Sequence, residues 1–424
     1  SIPGLRVQSI SGQPGVAPRV ILRGGTSINN PNGAGPLYLV DGVIRPNIND
    51  IAAEDIESVQ VLKDAASTAI YGARASNGVI LVTTKSAKAG TTRISYSYDL
   101  SLVDEGNRDL VYTNAREYIQ YARQSVLWTG VKLPASTTNS RLTAPTGYGT
   151  GNDLTNRTAF TTQYLTPQNE YKLKEGWESM PDPADPTKTI IFKDTDFQKL
   201  RFRTAKNHNH YLTVSGGTEK AKFNGGVGYL LGQGTALNSD YKRLSVNFNS
   251  SIQVTRKINV TGRVLYSNTD FHFINAAPAT QFTVLANTFY RSASLPSTAK
   301  YQFEDGTIAP GQAASAGNPH YYQIGPFAPQ TSNNAQKLTL SLAGKWDILP
   351  GLSFEPLVSS YEEEGFGRSF QPAFLSTVTT LNTLRSASQS YSTSRSYQAD
   401  AVLTYVKSIA NHNFEVKGGY SYFD

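Results

Sequence analysis

The side chains best suited to chemistry are few and scattered. His208 and His210 stand two apart, a spacing that puts both rings on one face of a strand, as a metal site needs. No third ligand accompanies them, so satisfied or solvated histidines are expected. Glu362-Glu363-Glu364, with Asp305 in another connection, offers the hard oxygen ligands that calcium takes, but without EF-hand spacing, and reads as a solvated acidic loop. The stretch DIESVQVLKDAASTAIYGARASNGVILVTTK (Asp55–Lys85) has the density of an active site, yet its Ser58, Ser67 and Ser76 have no base nearby in sequence. The chain has no cysteine, which removes thiolate nucleophiles, disulfides and Cys-based metal sites. It carries no HExxH, GxSxG or Walker motif, and GGVGYLLGQG (Gly225–Gly234) reads as a strand and turn rather than a nucleotide loop. The residues therefore predict no enzyme, no catalytic set and no cofactor; structural calcium in the loops is the one metal left open.

The elements that carry these residues follow from composition and pattern. Tyr (24), Phe (18) and Gly (35) abound over 424 residues while Met occurs once, a mixture that favours strands and turns. Lys and Arg total 39 against 32 acids, a mild +7 not gathered into the basic block of a nucleic-acid arm. No apolar run approaches the roughly 20 residues of a membrane-spanning helix. The opening Ser1-Ile2-Pro3-Gly4 lacks the basic start and apolar core of a signal peptide, as a mature or cut product would.

Residues 1–90 read as a small mixed α/β unit that can lack part of its N-terminal edge. Apolar runs at Leu5–Ile10, Arg19–Arg23, Pro36–Val40, Ile56–Leu62 and Val79–Thr84 are separated by Gly- and Asn-rich turns. Their continuous apolar character predicts strands covered on both faces. Asp64–Ala75 can form a short helix, with Asp64 as N-cap and Gly72 near its end.

Residues 91–424 follow a different rule. In RISYSYDLSL, Ile94, Tyr96, Tyr98, Leu100 and Leu102 alternate with Arg93, Ser95, Ser97, Asp99 and Ser101. This is a period-two strand with one apolar and one wet face. The alternation returns at Ala221–Leu231, Leu244–Val254, Ile258–Tyr266, Leu338–Ile348, Tyr397–Tyr405 and Phe414–Tyr422, more weakly at His210–Ser215 and Leu352–Ser360, for about nine strands. Long connections (Val103–Asn207, Asn268–Ala335, Tyr361–Arg395) and a medium one (Gly232–Lys242) alternate with tight turns, as in an outer-membrane barrel with its long loops at one end. Strands cross lipid only as a closed ring, apolar outside and free to be polar within. Ser95, Asp99, Lys222, Asn224, Asn247, Arg263, Lys337, Lys345, Glu415 and Lys417 fall on the polar phase; Tyr96, Tyr98, Tyr266, Trp346, Tyr405 and Tyr422 suit interfacial girdles. One long connection, NAREYIQYARQSVL, predicts a helix opened by an Asn114/Glu117 capping pair, with Tyr118, Ile119, Ala122 and Val126 on one face.

A small unit ahead of such a wall suggests a plug, since barrels of about 22 strands are open holes unless filled. RVILRGGTSINN (Arg19–Asn30), PLYLVDGV (Pro36–Val43) and Asn49–Lys85 resemble the plug signature of SusC/RagA-type TonB-dependent outer-membrane transporters, and Thr195–Asn249 resembles the family's first barrel strands. The resemblance implies a mainly β fold: an α/β plug (1–90), then part of a large antiparallel transmembrane barrel (91–424), about nine of about 22 strands. It also implies energised import of oligosaccharides or peptides, work supplied by TonB–ExbB–ExbD, and a SusD-like lipoprotein lid. The TonB box and the small domain that often precedes the plug are not in the sequence, and the last residues end inside a strand. The chain thus reads as a fragment, an open curved sheet with an unpaired edge that would aggregate alone.

Within this frame, Gln13, Arg45, Asn47 and Asn49 are candidate lumen-facing substrate contacts, with solvated turn residues as the plainer reading. Arg23, Asp41, Glu57, Lys63, Asp64 and Arg74 are candidate plug–barrel contacts, set against simple capping and solvation. Loop aromatics Tyr321, Tyr322 and Phe327 could stack on sugars or pack against the lid. A passive porin or adhesin, and a secreted soluble glycan-binding β-domain, remain the alternative functions.

Overall fold

The structure, a computed structural model, describes residues 4–9, 12–22, 35–64, 69–86, 88–104, 113–130, 134–153, 158–272, 295–313, 317–409 and 412–424. Among the described residues, six strands build the plug: β1 (Leu5–Gln8), β2 (Arg19–Leu22), β3 (Leu37–Val40), β4 (Val43–Arg45), β5 (Ile56–Leu62) and β6 (Val79–Thr84). β1 and β2 form a hairpin, while the other four pair in the order β4-β3-β6-β5 with β3 and β6 parallel. Leu22, Val40, Ile51, Ile80 and Val82 form the apolar core between them.

Among the described residues of the predicted runs, only Pro36–Val40 (three of five residues) and Val79–Thr84 (four of six) are mostly buried, as the continuous apolar character predicts. β5 is an edge strand with Val59 exposed, and Val7 of β1 is exposed too. Apolar runs do not distinguish a sheet's centre from its edge. In place of the expected helix, the described part of Asp64–Ala75 holds two short 3-10 turns (Ala69–Ala75) broken at Gly72, whose φ of 62° interrupts helical geometry. Residues 65–68 lie outside the described residues.

β7 (Gly90–Val103) begins the wall and leads into an insert holding β8 (Gln163–Tyr164), β9 (Glu178–Asp182) and β10 (Asp185–Phe192). The wall resumes with β11 (Ala205–Gly217), β12 (Ala221–Gln233), β13 (Asp240–Thr255) and β14 (Ile258–His272). It continues through β15 (Gln330–Leu349) and β16 (Leu352–Gln371). A minor hairpin, β17 (Phe374–Leu375) with β18 (Leu381–Asn382), precedes β19 (Ser386–Ile409) and β20 (His412–Phe423). The nine wall strands form one antiparallel sheet, β20-β19-β16-β15-β14-β13-β12-β11-β7, with β20 and β7 at its edges.

The expected alternation is realised. Ile94 is 73% and Tyr98 46% exposed, and Leu212, Val227, Phe248, Leu340, Leu342 and Val358 are exposed as well. Side chains one residue out of phase, such as Tyr211, Asn247, Asn249, Ser267, Lys337 and Gln398, are buried. A one-residue slip would exchange the two sets.

Several strands run beyond their predicted limits. Tyr361–Arg395 was expected to be one long connection, yet β16 and β19 pair continuously from Leu352↔Tyr405 to Gln371↔Ser386. Above the apolar band both faces of these strands are wet, so the sequence there (EEEGFGR opposite SQSYSTS) shows no apolar alternation. Glu362-Glu363-Glu364 is therefore strand, not loop. Glu362 pairs with Arg395 and Glu364 with Tyr391, while Glu363, on the other face, meets Tyr361 and Lys337. Strand alternation keeps the three carboxylates from converging on one ion.

The connections at the long-loop end fold together. The helix Ala115–Gly130 starts as predicted, Asn114 Oδ1 accepting from Glu117 N at 2.9 Å. Its buried face includes Arg123, which donates to Asp182 through Nε at 2.8 Å and Nη2 at 2.6 Å. Phe160, Phe197 and Ala299, from two different connections, share a core. Tyr321 and Tyr322 are buried there and bond the backbone at Leu375, so they belong to the loop body rather than to a sugar platform; Phe327 stacks on Tyr321.

Candidate functional site: the seam between plug and wall

The motif PLYLVDGV becomes intelligible at the seam. Asp41-Gly42 is the two-residue loop of the β3–β4 hairpin, with φ of 50° and 89°, both positive as a type I′ turn requires. The turn holds Asp41 against β6, where its carboxylate accepts from Thr84 N at 3.0 Å and Thr84 Oγ1 at 2.5 Å. It also lies 3.6 Å from Arg263 Nε on the wall. The Gly42 carbonyl accepts from Gln398 Nε2 at 3.0 Å, and Gln398 Oε1 accepts from Ile44 N at 3.1 Å. A Cβ on Gly42 would sit 3.2 Å from Leu357, so glycine suits both the backbone and the close approach.

A second group joins the end of β6 and the turn Ala53–Asp55 to β11 and β13. Asn249 Nδ2 donates to Thr84 Oγ1 at 3.1 Å and to the Lys85 carbonyl at 2.8 Å. Asn209 donates to Glu54 at 2.5 Å. Tyr211 OH donates to the Asp55 carboxylate and accepts from Asn247 Nδ2. Burial, reinforced by the neighbouring Glu54 charge and opposed by Arg243 and Lys85, pushes the Asp55 carboxyl up from 3.8 to about 7.

The third group is ionic. Arg45 Nη2 meets Asp50 Oδ2 at 2.7 Å, both side chains nearly sealed from solvent. The guanidinium also lies 5.1 Å from the ring centre of Tyr361. Ser267 Oγ donates to Asp50 at 3.1 Å, and Lys337 Nζ approaches Asp50 at 3.7 Å and Glu363 at 3.5 Å. Burial pushes the Asp50 carboxyl up, but Arg45 and Lys337 more than offset it and hold it below the usual carboxylate range.

The candidate residues thus occupy different places. Arg45 is 2% exposed and committed to Asp50 and Tyr361 instead of projecting into an open lumen. Asn47 Oδ1 accepts from Lys337 Nζ at 3.0 Å. Asn49 has an exposed side chain, its carbonyl 3.4 Å from Arg243 Nη1. Gln13 is half-buried, in a turn whose Gly15 (φ 79°) is seated against the Tyr241 ring. Among the other candidates, Asp41 is at the seam and Arg74 places its guanidinium 4.3 Å from the Phe423 ring centre. Glu57 and Asp64 are exposed and Lys63 is half-buried. Arg23 lies outside the described residues. Asp50, Asp55, Tyr211 and Gln398 escaped notice in the sequence; on the wall strands, the phase opposite the apolar one was the available signal.

His208 and His210 face outward, their Nδ1 atoms hydrogen-bonded to Tyr98 OH at 2.9 Å and Tyr96 OH at 2.8 Å. Among the described residues no cluster of three or more His, Cys, Asp or Glu side chains is placed to hold a metal ion.

A plug docked by polar contacts against a sheet that is apolar outside and polar inside resembles the arrangement of TonB-dependent outer-membrane receptors. Residues 1–79 match the TonB-dependent Receptor Plug Domain family. TonB-dependent receptor SusC of Bacteroides thetaiotaomicron is 31% identical over 258 residues, 58% of this chain and 20% of SusC. TonB-dependent receptor P3 of Formosa agariphila is 26% identical over 438 residues, 99% of this chain and 35% of P3. The RagAB peptide importer in its 'closed-closed' state shares the fold with a TM-score of 0.73, at 20% identity, over 100% of this chain and 44% of that one. The plug match, the two TonB-dependent receptor relatives and the RagAB-like fold support a SusC/RagA-family TonB-dependent transporter. It spans about a third or less of the length of these two curated relatives.

Proposed function

We propose that the protein imports bulky nutrients, oligosaccharides or peptides, across the outer membrane. TonB, energised by ExbB–ExbD, does the work, and a SusD-like lipoprotein covers the extracellular mouth. The observation that carries this reading is the character of the seam. The plug's buried apolar cluster is built from its own residues, with Leu265 of β14 packed against it, and hydrogen bonds and ion pairs tie the plug to the wall around it. Polar contacts exchange for water as they break, each at a net cost of about 0.5–1.5 kcal/mol. Such a plug can be dragged or remodelled by a pulling force, whereas an apolar interface of the same area would resist.

The test is uptake by the full-length protein in its host with and without TonB. Import that stops on deletion of TonB and returns on complementation is expected. Import that continues unchanged would make the barrel a passive pore and end the proposal. Deleting the gene for the lid lipoprotein should likewise reduce uptake.

A further inference from the structure

The tight turns at the periplasmic end of the wall enclose a polar cavity that the seam does not use. Its volume is about 300 Å³, and it lies where β12, β13, β14 and β15 come together. Lys220, Lys222, Arg256, Lys257 and Lys345 line it, against only two acids, Glu219 and Asp347. The backbone fixes this geometry: Gln253 N donates to the Lys220 carbonyl at 2.7 Å, and Asp347 N donates to the Lys257 carbonyl at 2.9 Å.

Two of the five cations are engaged internally and three are not. Lys345 meets Glu355 at 3.4 Å, and Lys257 Nζ donates to the Ile348 carbonyl at 3.0 Å. Among the described residues, Lys220, Lys222 and Arg256 form no ion pair, and neither acid lining the cavity bridges to a cation. Neutral groups complete the lining: Ser251 Oγ donates to Asn259 Oδ1 at 3.0 Å, leaving Asn259 Nδ2 to donate elsewhere. Lys222, Ser251, Asn259 and Lys345 share the strand phase of Asn249 and Arg263, so they point to the inside of the wall and not toward lipid.

We propose that this cavity is an oxyanion site of the phosphate class at the periplasmic mouth. A concave site with one predominant sign concentrates counter-ions, and several unneutralised cations with adjacent amide donors suit a compact dianion with three or more acceptor oxygens. The phosphate can belong to a soluble molecule in the mouth or to the headgroup of an inner-leaflet lipid bent over the rim. The inward phase of Lys222 and Lys345 favours the soluble source.

The experiment uses the full-length protein in a neutral detergent at low salt, titrated with radiolabelled inorganic phosphate in equilibrium dialysis. Saturable binding is expected, weakened about tenfold or more in the Lys222→Gln, Arg256→Gln double variant and retained by Lys222→Arg. Native mass spectrometry forms the second arm: a phospholipid retained by the wild type and lost from the double variant would support the site and assign it to a headgroup. Absence of both phosphate binding and retained phospholipid in the wild type, or binding that the double variant leaves unchanged, would overturn the proposal. Thermal unfolding of each variant separates a local loss from misfolding, since these side chains lie on turns and strand ends away from the plug core.

Discussion

The plug's interior and its seam with the wall are built from opposite materials. Inside, Leu22, Val40, Ile51, Ile80 and Val82 close on one another; at the seam, Asn249, Gln398, Tyr211, Ser267 and Lys337 meet backbone and carboxylate. Burying apolar surface makes a unit hold together through displacement, and water cannot replace those contacts. Polar contacts set position and orientation, and water can replace them as they open. The difference teaches that plug integrity and plug retention are separable properties, written in different residues.

The largest effect should come from the ion pair sealed at the seam. Arg45→Leu leaves Asp50 buried without its partner and should destabilise the seated plug by about 3–5 kcal/mol, read as a lowered denaturant midpoint for plug release in the full-length protein. Replacing both Arg45 and Asp50 with leucine should recover much of that loss. Next comes the core: Ile80→Ala should cost about 2–5 kcal/mol and expose the plug itself to protease, which seam variants should not do. On the wall, Leu342→Arg places a cation on the lipid face and should cost about 2–4 kcal/mol of barrel stability near the bilayer midplane, measured by unfolding in lipid vesicles. Asn249→Ala removes two seam hydrogen bonds and should cost about 1–3 kcal/mol of plug retention with the plug's own protease resistance unchanged.

The smallest effect is a slope with pH. Asp55 holds its proton up to about 7 when seated, against an ordinary value of 3.8. The seated state therefore binds more protons than the released one between those values, and retention should be strongest near pH 4 and fall as pH rises through 7. Asp50 has the opposite sign: its contribution is present above the usual carboxylate range and is lost as pH falls through its lowered value. Asp55→Asn should flatten the slope above pH 4, measured as the denaturant midpoint across the range; an unaltered slope would place its cause elsewhere.

The nine wall strands were legible because each presents an apolar face to lipid and a polar face inward, which imposes a period of two on the sequence. Where the reason for alternation ended, so did legibility. The upper halves of β16 and β19 have water on both faces, and their serines, glutamates and glycines read as loop. The two-residue Asp41-Gly42 turn lay within a quoted motif, but its contact with Gln398, 356 residues on, has no local signature. Arg45 resembled a solvated turn residue because sequence does not show that Asp50, five residues later, folds back onto it. Tyr321 and Tyr322 misled for the same reason: a buried aromatic and an exposed one look alike until their neighbours are known.

The central claim, that the plug must move relative to the wall for cargo to pass, is tested most directly by tying the two together. Thr84 and Asn249 are already in side-chain contact at 3.1 Å, and these 424 residues contain no cysteine. With Thr84→Cys and Asn249→Cys in the full-length protein, disulfide formation should abolish uptake and reductant should restore it, each single variant importing normally. Uptake at the wild-type rate with the crosslink fully formed would contradict the account.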